Sequence, residues 1–190
     1  MTKARALGSL FGLTLLLILP ALSQGAILYV NNADPTCQGQ SPCFSTIQSA
    51  VNAAQAGDTI RIQVGTYLEN VIIDGKNNFA GAAESDRIVI EADPLSPPGS
   101  VLLTAQREAP CSSFGFRIKL SKFITVRGLA IGSFGGEGIS LFGGASQNQA
   151  IHIERNRIFG SKCSSGIIID SGNPATLIVN NLKGLCISFP

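Results

Sequence analysis

The chain has 190 residues, 14 basic and 12 acidic, with 21 Gly, no Trp and one Met. Few charges and abundant Gly suit a single β-rich domain with many tight turns. Both basic residues of the first 25, Lys3 and Arg5, precede all the acids, so residues 26–190 carry 12 of each sign. That balance excludes reading the pI as a nucleic-acid signal.

Residues 1–25 read as a secretory signal peptide. Lys3 and Arg5 form a basic start, residues 6–19 an apolar run, and Pro20 ends it before the small residues Ala21, Ser23, Gly25 and Ala26. A membrane span needs roughly 20 apolar residues. This run is shorter and contains Gly8 and Gly12. The mature chain is therefore placed in the periplasm or outside the cell, with no transmembrane segment. Five cysteines in an exported chain suggest disulfides. Cys37 and Cys43 share one short loop and are expected to pair. Cys111 with Cys163 stays open, and Cys186 is taken as the one left over.

Residues 26–57 are expected to hold a strand at 27–31, the cysteine loop and one helix at 44–55. Ile47, Ala50, Val51 and Ala54 make a single apolar stripe at helical spacing. Ser45 or Thr46 can cap its start, and Gly57 suits the left-handed residue beyond its end. From residue 58 to 190 the period becomes two. Ile60, Ile62 and Val64 alternate with Arg61 and Gln63, and Phe116, Ile118 and Leu120 alternate with Arg117 and Lys119. Residues 71–73, 88–90 and 101–103 are further short apolar runs. Residues 93–99, with three prolines, form a loop leaving the body of the fold.

A longer period overlies this one. Residues 126–131 (VRGLAI) and 153–158 (IERNRI) lie 27 apart, and 178–182 (IVNNL) starts a third copy. GISL at 138–141 and GIII at 166–169 recur with a spacing of 28. Short β pieces at such a period mark a solenoid in which each turn stacks on the last. The fold expected is an all-β solenoid, a right-handed parallel β-helix of four to five coils with a short N-terminal capping helix. Val126, Ile153 and either Ile178 or Val179 should form one apolar stack, with Leu129 above or below Asn156. Asn156 and Asn181 should form a structural ladder by hydrogen bonding turn backbone. The third copy breaks at Lys183 and no capping segment follows, so the chain reads as the truncated product of a longer protein, monomeric once completed by further coils.

Residues 57–69 (GDTIRIQVGTYLE), behind an Ala-rich helix, resemble the entry segment of secreted pectin-lyase-like β-helix proteins, among them polysaccharide lyases and mannuronan epimerases. The resemblance implies an acidic glycan as partner. It also implies a base such as Lys, Arg, His or Tyr and, in many members, Ca2+ on clustered carboxylates. No such cluster, no DPHD signature and no zinc-like spacing is found in this sequence, so no metal site is assigned. Within 57–69, Gly65 is read as serving a tight turn, Tyr67 as packing at the entry to the first coil, and Asp58 as turning backbone.

No catalytic residue is identified. His152, outward between two isoleucines, and Arg155 stand as candidates only. Arg127 and Glu154, 27 apart, could pair outside the sheet. Arg117, Lys119, Arg127, Arg155 and Arg157 are expected to share a basic face that attracts a polyanion. Eight basic and three acidic residues follow Cys111, against four and nine in residues 26–110. The reading is an exported β-helix module of the polysaccharide-processing type, lyase- or epimerase-like and inactive as this short chain. The alternatives are a non-catalytic surface or glycan-binding β-helix and a periplasmic accessory β-helix protein. One His and one Met argue against copper handling in the latter.

Overall fold

The computed structural model describes residues 25–105, 110–143, 148–170 and 176–179, and the backbone of 187–188. The first described elements are strands β1 (Ile27–Val30) and β2 (Cys43–Phe44) and helix α1 (Ile47–Ala53). Four coils follow, each of three strands. The first is β3 (Thr59–Ile62), β4 (Gly65–Leu68) and β5 (Val71–Asp74). The second is β6 (Ile88–Ala92), β7 (Val101–Thr104) and β8 (Phe116–Lys119). The third is β9 (Lys122–Arg127), β10 (Ala130–Gly132) and β11 (Ile139–Phe142). The fourth is β12 (Gln149–Glu154), β13 (Arg157–Phe159) and β14 (Ile167–Ile169), with β15 (Leu177–Val179) and β16 (Ile187–Ser188) beyond it.

The three strands of a coil go to three different sheets. Sheet A has the order β15-β12-β9-β6-β3-β1-β2, sheet B β13-β10-β7-β4 and sheet C β16-β14-β11-β8-β5. Among the described residues pairing is parallel throughout, for example β9 with β12, β10 with β13 and β11 with β14. This is a parallel β-helix. Its interior is a set of columns. In sheet A, Leu28, Ile60, Ile90, Val126, Ile153 and Ile178 lie in one register. In sheet B the column is Tyr67, Leu103, Ile131 and Ile158. In sheet C, Val71, Phe116, Ile139 and Ile167 align. Apart from Ile178, which is half-buried, these side chains are buried in one continuous core. Each stabilises the coil by about 1.5–3 kcal/mol on transfer from water. The 27- and 28-residue spacings are the lengths of single coils, and Ile178 is the third member of the Val126 stack. Among the described residues no helix is long and apolar enough to cross a membrane.

Helix α1 covers the end of the core, with Ile47, Ala50 and Val51 buried. It is shorter than expected. Thr46 is its N-cap, accepting the Ser49 N–H, and Ala54 is already extended. Phe44 belongs to β2. Gly57, at φ +85°, therefore serves the turn into β3 and is not the helix C-cap. The first coil holds the helix at both ends. Glu69 accepts the N–H groups of Ile47 (2.9 Å) and Gln48 (3.0 Å), and Lys76 donates to the Asn52 (3.2 Å) and Ala54 (2.8 Å) carbonyls. Both charges have the sign that the helix dipole favours. Gln48 completes the join. Its amide accepts the Ile72 N–H (2.7 Å) and donates to the Ile72 carbonyl (3.0 Å), standing in for a strand at the edge of sheet C.

Other corrections are local. Val64 and Leu120 do not continue their alternations. Val64 sits exposed in a corner, and Leu120 turns outward at φ +50°. Gly65 lies inside β4 and serves close approach, because a Cβ there would meet Asn32 Oδ1 at 2.8 Å and the Tyr67 ring at 3.2 Å. Tyr67 is buried and donates its hydroxyl to the Gln63 carbonyl at 2.9 Å; burial pushes its pKa up to about 12. Asp58 accepts from the Ala26 (2.7 Å) and Gln55 (2.8 Å) N–H groups.

Asn156 lies at the corner between sheets A and B and is 1% exposed. It accepts the Leu129 N–H (3.1 Å) and donates to the Val126 carbonyl (2.9 Å), so one amide ties two coils. Asn181, its expected ladder partner, lies outside the described residues. Asn148 does similar work at the corner between sheets C and A, through the Ser121 N–H and the Ile118 and Phe142 carbonyls. Cys37–Cys43 and Cys111–Cys163 are both disulfides, each with a Cα–Cα distance of 5.6 Å. Cys186 lies outside the described residues.

Two outcomes follow. Asn156→Ala should cost about 1–3 kcal/mol in chemical denaturation, because it strands a buried donor and acceptor. Peptide mapping of unreduced protein should recover Cys37 linked to Cys43 and Cys111 linked to Cys163. Recovery of Cys111 linked to Cys186 would contradict the second assignment.

Candidate functional site

Parallel register also stacks the outward side chains, and it decides where the candidate residues meet. On sheet A one outward row runs Arg61, Glu91, Arg127, Glu154. Glu91 binds the guanidiniums on both sides. Its Oε1 accepts from Arg61 (3.3 and 3.2 Å) and its Oε2 from Arg127 Nε (2.9 Å) and Nη2. Arg127 therefore pairs with the previous coil and not with Glu154. The nearly buried Glu91 carboxylate has the greater need of a cation. Glu154 turns instead to His152, whose Nδ1 is 3.4 Å from Glu154 Oε1.

The other face of His152 meets Arg87. Arg87 Nη2 is 3.5 Å from His152 Nε2. The same guanidinium donates to the Ile124 (3.2 Å) and Ala150 (2.9 Å) carbonyls and to Thr125 Oγ1 (3.2 Å), while Nη2 reaches Glu84 at 2.8 Å. That hydrogen bond is the main cause that holds the Glu84 carboxyl below its ordinary value. His152 points outward as expected, lying over Thr125, but it is half-buried, with a charged neighbour beside each ring nitrogen. A base needs a nitrogen within reach of the proton it takes. Arg155, the other catalytic candidate, sits beyond this row at the corner between sheets A and B, with φ +52° and an exposed side chain. The two do not form one site.

The expected basic face divides. Arg117 and Lys119 stand on sheet C, Arg127 on sheet A, Arg157 on sheet B and Arg155 at the corner between A and B. Three strand directions per coil point outward in three directions, so spacing along the chain alone cannot place residues on one face. On sheet C the cations are partnered. Lys119 Nζ is 2.9 Å from Asp74 Oδ2, and Arg117 Nη2 is 3.7 Å from Glu137 Oε2. The Arg117 guanidinium also lies 3.9 Å from the Phe114 ring centroid and 5.0 Å from that of Phe142.

Arg127, Arg155 and Arg157 do come together. They line a groove of about 710 Å³ with Glu91, Asp93, Pro94, Pro98 and Leu129. Its wall is the proline-bearing loop, held by Asp93, which accepts the Leu95 N–H at 2.9 Å, and by Ser100, which donates to the Pro97 carbonyl at 2.6 Å. Arg157 stacks on Phe159, 4.7 Å from its centroid. Among the described residues no carboxylate pairs with Arg155 or Arg157. Sequence reading missed Glu91, Arg87 and Glu84. The intervals that join Arg61 to Glu91 and Glu91 to Arg127 are 30 and 36 residues, unequal to each other and to the 27-residue repeat.

Among the described residues the carboxylates do not suit Ca2+. Glu91, Asp74 and Glu137 are each turned to Arg or Lys, and Asp58, Asp34 and Asp93 accept backbone N–H groups. Among the described residues no three His, Cys, Asp or Glu side chains gather into a metal-binding group. Ca2+ takes six to eight oxygens, and this donor set does not offer them.

No family model and no curated protein matches the sequence. Among solved structures, the chain is similar to a pectin methylesterase variant crystallised with a hexasaccharide, at 13% identity and a TM-score of 0.49. The similarity covers 80% of this chain and 50% of that one, so this chain spans half the length of that enzyme.

Proposed function

We propose that the protein is an exported, right-handed β-helix module that binds acidic polysaccharide through the groove at the corner of sheets A and B. The observation that carries this reading is the pair Arg155 and Arg157. Both are exposed, and neither has a carboxylate partner among the described residues. A guanidinium offers a planar fork of donors that matches a carboxylate. A rigid proline wall facing it lowers the ordering cost of holding a chain of sugars. Two disulfides suit an oxidising compartment. Right-handed winding follows the sense that parallel crossovers take. Binding is favoured over bond cleavage because His152 is engaged by Arg87 and Glu154 and stands apart from Arg155.

Affinity electrophoresis through polygalacturonate or alginate tests this. The wild type should be retarded at low salt and released by 1 M salt, where the Debye length falls to about 3 Å. Arg155→Ser with Arg157→Ser should abolish the retardation. Arg117→Ser with Lys119→Ser, on sheet C, should leave it. Equal loss in both double variants would refute the groove.

A further inference from the structure

Glu91 lines the groove yet is 4% exposed, so it acts on a ligand through its neighbours. One carboxylate serves two guanidiniums on either side of it in sheet A, Oε1 taking Arg61 and Oε2 taking Arg127. Two consequences follow for the groove. The Nε–Nη2 edge of Arg127, which could form a two-point fork with a ligand, is occupied by Glu91. Among the described residues Arg155 and Arg157 remain the open forks. The lining also carries Asp93, so among the described residues its charged groups are Glu91 and Asp93 against Arg127, Arg155 and Arg157, one net positive charge. Without the charge of Glu91 that excess would double.

Resting on the groove reading above, we propose that Glu91 is a specificity-determining residue: it tunes the groove to polyanions with a single planar carboxylate on each sugar and against densely sulfated chains. The physical reason is a difference in what each polymer rewards. Sparse carboxylates gain from a few well-aimed forks. Dense sulfates gain chiefly from total positive charge and counterion release. Glu91 withholds charge while leaving two forks in place. Arg61 lies outside the groove and draws on the same carboxylate, so it tunes the balance from behind.

The test measures the affinity of wild type, Glu91→Gln and Arg61→Gln for polygalacturonate and for dextran sulfate at one fixed salt, with thermal melts to verify folding. Glu91→Gln should shift the ratio about two- to fivefold toward dextran sulfate, the size of one partly exposed charge contact. Arg61→Gln leaves Glu91 to Arg127 alone and should shift it the opposite way. If Glu91→Gln does not fold, the Arg61→Gln shift decides. An unchanged ratio in the folded variants, with wild type still binding polygalacturonate, overturns the role of Glu91 and leaves the groove standing. Wild type that binds neither polymer overturns both.

Discussion

Everything in this molecule depends on parallel pairing at constant register. Once strands about 4.8 Å apart are held in step, the residue above any side chain is its counterpart one coil away. Inward positions become apolar columns, and any polar atom there must find its partner within the core. Outward positions become columns too, and like charges in one column would repel at close range. The row Arg61, Glu91, Arg127, Glu154 alternates in sign for this reason. The buried position of Glu91 then decides which neighbour each arginine takes. The same geometry brings His152 over Thr125, which puts it within reach of the arginine threaded between two coils.

A stack of this kind has ends, and an end exposes both apolar core and unpaired backbone. At the N-terminal end the problem is met by side chains of the first coil. Glu69 and Lys76 grip opposite ends of α1, while the Gln48 amide mimics a paired strand against Ile72. A seven-residue helix is too short to be stable alone. It folds because Thr46 and the coil beneath together satisfy its end groups. The acidic residue after Gly65, Thr66 and Tyr67 thus has a structural task, which is to cap a helix more than 20 residues earlier in the chain.

Much of this was readable in the residues. The spacing of Val126, Ile153 and Ile178 identified the coil length and the core face, because burial on a repeating scaffold writes itself as a period. Cys37 and Cys43 were readable because they lie six positions apart in one loop. The basic face was not. A linear alternation shows only in or out, and out has three directions in a three-sheeted coil. The ion pairs escaped for a related reason: an inserted loop lengthens one coil, so partners in register are unevenly spaced in sequence. Glu69 escaped because its partners, the first N–H groups of α1, leave no residue signature.

The inserted loop is also what turns scaffold into site. Among the described residues, three of the four corners between sheets A and B are two residues long: Gln63 with Val64, Gly128 with Leu129, and Arg155 with Asn156. The remaining one, residues 93–100, holds eight. A two-residue corner has no room to enclose a ligand. The longer one extends outward, stiffened by Pro94, Pro97 and Pro98, and walls the corners of the two coils that follow. Those corners carry Arg127 at the end of one strand and Arg155 and Arg157 around the next. The repeat therefore supplies a regular array of positions, and one departure from it makes a few of them face a common space. Asn156 bears on the same place from beneath. By holding Leu129 and Val126 it keeps the corner tight, so that Arg155 on one side of it and Arg157 on the other point out beside the wall.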